Sequence, residues 1–302
     1  MQGIGEDAAT RRAPRWNADE IDLSAVDPAI ADDEDWFFRI AVASFVESAS
    51  DLYTRNLVTY FAAEPRIAGW LEATWMHEEL QHGRALRRYL ERVWPAFDWP
   101  GAYARFLDEY APLSSPERYR PTPALELAAR CAVETGTSAY YRMLRDLAPE
   151  PRLREILGRI AADEVVHYKH FLHYLRQLRH GGGGRDGTDR TEGPDLARRD
   201  PCSRAQVFRA IVGRLQETHS EDGWIAFRHA YGARHPRAAA DVAAVRHEYR
   251  RFVAATRRAA RAAFPHRMVA GMIVAPLDLP AAAHPRAQRA VEAVIRGIAR
   301  LQ

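Results

Sequence analysis

Four long stretches of this chain repeat their apolar residues at intervals of three and four, the period of a helix with one buried face. Each stripe is interrupted near its middle by side chains that ionise. In the first, Ile40 and Ala43 lead to Glu47 and Asp51 before Thr54, Val58 and Phe61 resume the stripe; in the second, Leu71 and Trp75 lead to Glu79 and His82 before Leu86 and Leu90. The third runs Leu127, Cys131, Glu134, Ser138, Tyr141, and the fourth Ile156, Ile160, Glu164, His167, Phe171, Tyr174, Leu178. Burying carboxylates and imidazoles without a compensating charge costs several kcal/mol apiece. Such a chain therefore folds into helices whose ionisable residues meet around something positive, and a metal ion meets that demand.

Residues three apart on a helix share a face, so Glu79 with His82, and Glu164 with His167, can each point at one centre. The Glu-x-x-His pair alone is weak evidence, because 21 Glu and 12 His among 302 residues produce roughly one by chance. The register is stronger. Glu47 precedes Glu134 by 87 positions, Glu79 precedes Glu164 by 85, and His82 precedes His167 by 85. The chain thus reads as a helix pair used twice, each copy offering Glu and then Glu-x-x-His, the donor set of di-iron and di-manganese carboxylate bundles. Oxygen-rich ligation with one imidazole per ion suits iron or manganese better than thiolate-favouring ions. The competing reading is a set of salt bridges in an ordinary helical bundle.

The segment WMHEELQHGRALRRYL resembles the EExxHG helix of soluble acyl-[acyl-carrier-protein] desaturases, and REILGRIAADEVVHYKHF resembles their IAADExxH helix. ETGTSAYY is similar to their ExxT segment, and VESASDLY more loosely to the helix bearing their single Glu ligand. The resemblance covers about residues 33–180 and implies an all-α, ferritin-like four-helix bundle with additional C-terminal helices. It makes Glu47, Glu79, His82, Glu134, Glu164 and His167 the metal ligands, with Glu79 and Glu164 bridging. It also puts Thr137 at the oxygen-binding face and Asp163 where a carboxylate fixes an imidazole's tautomer. The implied activity is O2-dependent oxidation of C–H bonds, by desaturation or hydroxylation, in an acyl substrate that is either a small molecule or bound to a carrier protein. The implied cofactor is two iron ions, or manganese, or one of each, with electrons from an external donor protein such as a ferredoxin. The same core serves N-oxygenases of amines and iron-storage proteins, so two other functions stay open.

The neighbouring residues divide between site and packing. Thr137, three after Glu134, can face the site and relay a proton, or bond back to a helix carbonyl. Asp51 suits a surface or interhelical contact at least as well as a site role. Glu78 and His77 lie about 100° and 200° from the Glu79 face and His170 and His173 about 120° and 180° from the Glu164 face, so none is expected as a ligand. Tyr53, Tyr140 and Tyr141 are expected in the core, Cys131 as a small buried hydrophobe, and Trp70, Trp75 and Phe171 as cavity walls.

With 47% apolar and 27% charged residues, the rest of the chain has globular composition. Cys131 and Cys202 form no CxxC, which excludes a disulfide scaffold and a thiolate zinc site. The longest apolar run, around Met268 to Pro276, is about half of a membrane span. A cytoplasmic protein without a membrane partner is therefore expected. Residues 1–32 read as a flexible N-terminal segment, with helices near 33–62, 66–93, 123–147 and 151–179 and a short helix between the second and third. Residues 181–202 read as a mobile Gly-rich linker or surface loop, and 203–302 as a helical extension packed on the bundle, with helices near 203–217, 221–231, 237–264 and 285–301. Residues 1–181 carry 22 basic and 28 acidic side chains, and residues 182–302 carry 21 and 12. That basic tail suits an acidic carrier or electron donor. Its Arg residues lie at helical spacing among Ala, Val and Phe, which fits a solvated helix face and not nucleic-acid binding. A homodimer is compatible with all of this.

Overall fold

A computed structural model describes residues 15–114, 119–181, 199–217 and 221–301, which are helical with no strand among them. Helix α1 (Glu34–Ser48) starts where the Asp33 carboxylate accepts the Trp36 amide at 3.0 Å. The single helix expected over 33–62 is broken at Ala49, and α2 (Ser50–Tyr60) restarts beyond it. The hydroxyls of Ser50 and Thr54 donate to the carbonyls of Glu47 and Ser50 there. Such back-bonding bends helices, and here it does so just past a candidate ligand.

Helix α3 (Pro65–Trp70) passes through one π-helical stretch, Leu71–Trp75, into α4 (Met76–Val93). Single π turns inside helices often mark functional sites; this one ends four residues before Glu79. Helix α5 (Trp99–Tyr110) lies in the Pro- and aromatic-containing connection. Helices α6 (Pro123–Leu147) and α7 (Pro151–His180) form a tight hairpin, with the Glu150 side chain capping α7 through the amides of Arg152 and Leu153.

Helix α6 packs along α7, α1 along α4, and α4 against α7. Two apolar clusters result. One holds Phe37, Phe45, Leu86, Tyr141 and Ile160; the other holds Leu57, Trp75, Leu127 and Phe171. Along each of the four sequence stripes the ionisable residues fall where one cluster gives way to the other, so the polar site is enclosed by core on both sides.

The extension packs on this core. Helix α8 (Arg204–Glu217) lies on α6, and α9 (Glu221–Arg234) on α1 and α5. Helix α10 (Val242–Ala263) begins later than the expected residue 237, after a 3-10 turn. A further helix, α11 (His266–Val274), occupies the apolar run that carried no helix expectation. It is stabilised by burying Val269, Met272 and Ile273 in the apolar cluster it shares with α6, and α12 (His284–Leu301) covers it.

Residues 15–32 overturn the expectation of a loose segment. Trp16, Ala18, Ile21 and Ile30 are buried, Arg88 donates to the Ala18 carbonyl, and Trp94 Nε1 donates to the Ala31 carbonyl at 2.9 Å. The segment lacks helical periodicity and is held by donors from α4 and the residue that ends it. Residues 1–14 and 182–198, to which flexibility was also assigned, lie outside the described residues. No helix among the described residues is long and apolar enough to cross a membrane.

Candidate metal centre

The six expected ligands converge. Glu47 from α1, Glu79 and His82 from α4, Glu134 from α6, and Glu164 and His167 from α7 are all at most 4% exposed. They form two overlapping groups that can each hold a metal ion. One comprises Glu47, Glu79, His82 and Glu164, the other Glu79, Glu134, Glu164 and His167, and the ligand atoms of each lie within 4.8 Å of one another. Glu79 and Glu164 belong to both.

Close helix approach makes this convergence possible. A Cβ on Gly83 would lie 2.5 Å from Ser48 Oγ and 2.7 Å from the Ser48 amide nitrogen, so only glycine lets α4 approach α1 beside Glu47 and His82. The imidazoles are oriented from outside. His82 turns Nδ1 inward, 3.3 Å from Glu164 Oε1, while its Nε2 lies 3.1 Å from Asp163 Oδ2. His167 turns Nδ1 toward Glu79 Oε1 at 3.1 Å, while its Nε2 lies 2.8 Å from Glu78 Oε2. Each Glu-x-x-His helix therefore supplies, from the residue before its Glu, the carboxylate that holds the other helix's imidazole. Asp163 stands where it was expected. Glu78 lies outside both of the groups that could hold a metal and meets the His167 imidazole from behind, a placement that facing angles missed and the 85-residue register contains, since Glu78 maps onto Asp163.

Arg15 and Trp16 join these outer carboxylates. Arg15 Nη2 is 2.7 Å from Asp163 Oδ1 and its Nε is 3.9 Å from Glu78 Oε1, while Trp16 Nε1 donates to Asp163 Oδ2 at 2.7 Å. No sequence signal marked either residue, since one Arg-Trp pair in an aperiodic segment has no pattern. Thr137 Oγ1 donates to Glu164 Oε2 at 2.7 Å, with the Glu134 and Val133 carbonyls as longer alternatives. Tyr141, expected only to pack, donates to Glu47 Oε1.

The remaining neighbours keep their bland roles. Trp70 and Trp75 stand edge-on to His167, and Phe171 packs against both. His170 stacks on Trp70, Asp51 pairs with Arg55, Cys131 is buried and Tyr53 half-buried, and desolvation is the first cause that pushes both of the last two upward in pKa.

The electrostatics reflect crowding. Burial, reinforced by the neighbouring Glu164 charge, pushes Glu79 up to about 8 and Glu134 well above the carboxylate range. Burial opposes ionisation of Glu164 as well, but the adjacent His82 imidazole, with charge from His167, holds it down to about 2. Burial also opposes the charged imidazoles; Asp163, Glu164 and Glu47 nonetheless raise His82 well above its ordinary value, and Glu78 and Glu79 bring His167 to about 9. Protons on these groups supply positive charge that a metal ion would replace.

The donor set fits such an ion on a separate criterion. Glu47 Oε2, His82 Nδ1, Glu164 Oε1 and His167 Nδ1 are buried without a hydrogen-bond partner, and all four belong to the two metal-holding groups. Buried polar atoms are ordinarily satisfied, so their joint inward orientation points to coordination. Neither a protein-family model nor a curated protein matches the sequence.

Proposed function

We propose that this chain is an O2-dependent oxidoreductase whose ferritin-like bundle holds two iron ions, and that it oxidises C–H bonds of an acyl-type substrate. The observation that carries this reading is the pair of four-residue groups sharing Glu79 and Glu164. One buried imidazole and one unshared carboxylate at each end, with two carboxylates common to both, is a dinuclear donor set. Iron bound there would supply the reduction of dioxygen and the oxidising power for C–H cleavage, with electrons from an external donor such as a ferredoxin in a reducing cytoplasm.

The chain's own residues do the rest. Glu47 and Glu134 close the two ends, and Glu79 and Glu164 span them. Asp163 and Glu78 accept from Nε2 of the imidazoles and so keep each Nδ1 directed inward as a donor atom. Tyr141 occupies Glu47 Oε1 and leaves Oε2 facing the centre. The Thr137 hydroxyl, its oxygen 2.7 Å from Glu164 Oε2, holds a proton that it can deliver at the centre. Trp70, Trp75 and Phe171 exclude water at the His167 end.

Anaerobic loading with ferrous iron tests the reading. Two ions per chain, oxidised on admission of air, are expected; one ion or none sinks it. Analysis of the oxidised product then separates C–H oxidation from N-oxygenation of an amine, and retention of ferric mineral would indicate storage.

A further inference from the structure

A cavity of about 640 Å³ opens between α6, α11 and α12, within the size range of small-molecule sites. Three guanidinium groups line it, from Arg142, Arg267 and Arg296, and its floor is Phe264, Met268 and Met272. No carboxylate lines it. Arg296 is paired with Glu292 at 2.8 Å, whereas among the described residues Arg142 and Arg267 have no acidic partner; Arg142 Nη1 meets only the weak acceptor Met268 Sδ at 3.6 Å. Neighbouring cations without anions are an unfavourable arrangement that a bound anion relieves. The uncapped first turn of α11 adds partial positive charge at the same rim.

The floor leads inward. Met272 Sδ lies 3.8 Å from Ser138 Oγ, and Tyr168, the residue after His167, donates to the Met272 carbonyl at 2.7 Å. Ser138 is one turn beyond Glu134, and Arg142 one turn beyond Ser138, on a single stripe of α6. From Arg142 to Glu134 the helix covers roughly 12 Å, eight residues at the α-helical rise. Met272 is mostly buried between cavity and centre, and methionine is the side chain best able to swing aside, having three rotatable bonds and no branch.

We propose that this cavity binds an organic anion with an apolar tail, its head on Arg142 and Arg267 and its tail directed past Met272 toward the carboxylate cluster. The direction of the tail rests on the proposed function; the binding of the anion does not.

Dodecanoate, dodecanol and acetate, titrated calorimetrically into the full chain below the micelle threshold, provide the test. Dodecanoate is expected to bind at one site per chain, at least tenfold tighter than either probe. Both arginines are exposed, so the double variant Arg142→Ala/Arg267→Ala should fold normally and lose about tenfold in dodecanoate affinity. Arg250→Ala, an equal loss of charge outside the cavity, should lose none. Met272→Trp should weaken dodecanoate and leave ferrous loading at two ions. Equal binding of dodecanol, or dodecanoate binding unaffected by the double variant, overturns the proposal. Loading and binding are read separately: a chain that loads two ions but ignores dodecanoate refutes the cavity alone, and one that binds dodecanoate but loads no iron refutes the metal reading alone.

Discussion

Helix α6 carries two carboxylates eight residues apart, Glu126 and Glu134, that are equally buried and electrostatically opposite. Glu126 accepts from Arg130 Nε at 2.9 Å and from the Arg120 amide at 2.8 Å, and Arg214 of α8 approaches at 3.4 Å. Two guanidinium groups answer one carboxylate, and the group fastens α8 to α6 without outside help. Around Glu134 the count runs the other way. Four carboxylates face two imidazoles, two more carboxylates stand behind those imidazoles, and among the described residues the one guanidinium in an ion pair with any of them is that of Arg15, at the outer edge, while the Arg130 charge reaches Glu134 without pairing with it. Depth of burial alone does not distinguish these two clusters; the charge balance does.

The largest expected contrast comes from deleting each half. Glu79→Ala removes a carboxylate common to both groups and should abolish loading of both ions, while the metal-free protein melts no lower than the parent, because a carboxylate whose charge is opposed by burial and by Glu164 has gone. Glu126→Ala should do the reverse. It leaves Arg130 and Arg214 buried without their partner, which should cost about 3–5 kcal/mol of stability, measured by urea denaturation, with two ions still bound by the folded fraction. Equal metal loss in both variants would erase the distinction between the clusters.

A smaller effect probes how the outer carboxylates differ from ligands. Glu78→Ala removes no donor atom from the centre but frees His167 to rotate or to change tautomer, and the expected result is about 10–100-fold weaker metal binding with stoichiometry unchanged. Arg15→Ala, which loosens both Asp163 and Glu78, should weaken binding by less than Glu78→Ala. Competition with a chelator measures both. A stoichiometry of one ion in Glu78→Ala would make Glu78 a ligand and break the exchange described above.

Much of this was legible in the sequence because the site is built on regular helices. Period and register alone bring Glu47, Glu79, His82, Glu134, Glu164 and His167 together, and α6 and α7 begin at the prolines that mark their first turns. What escaped had causes of other kinds. The break at Ala49 depends on hydroxyls bonding back to carbonyls, a local competition that apolar spacing does not register. Arg15 and Trp16 act across 147 or more positions of chain from Asp163, through single side chains in an aperiodic segment. Helix α11 was hidden because a short, uniformly apolar run has no polar face to reveal its period. Glu78 alone was within reach, through the same 85-residue offset that pairs the ligands.

The smallest expected effect is a pH dependence that separates the metal-free from the metal-loaded protein. His167 is raised from 6.5 to about 9, His82 is raised, and Glu79 is raised from 4.5 to about 8. A group whose folded pKa lies above its unfolded value contributes stability that is complete below the unfolded pKa and disappears as pH rises through the folded one. Metal-free protein should therefore lose thermal stability between pH 6.5 and 9. Glu164, lowered to about 2, contributes stability that is complete above 4.5 and lost only as pH falls toward 2, so it adds nothing to this window. Metal ions compete with the same protons, so their affinity rises as pH rises, and the gap in melting temperature between loaded and metal-free protein should widen from pH 6.5 to 9. The double variant His82→Gln/His167→Gln should flatten the metal-free slope, because neutral amides take up no proton at either position, whereas exposed groups elsewhere keep whatever dependence they have. A metal-free melting temperature that stays level across this window in the parent protein would mean that the imidazoles are neutral in the cluster. In that case coordination would displace protons chiefly from Glu79 and Glu134.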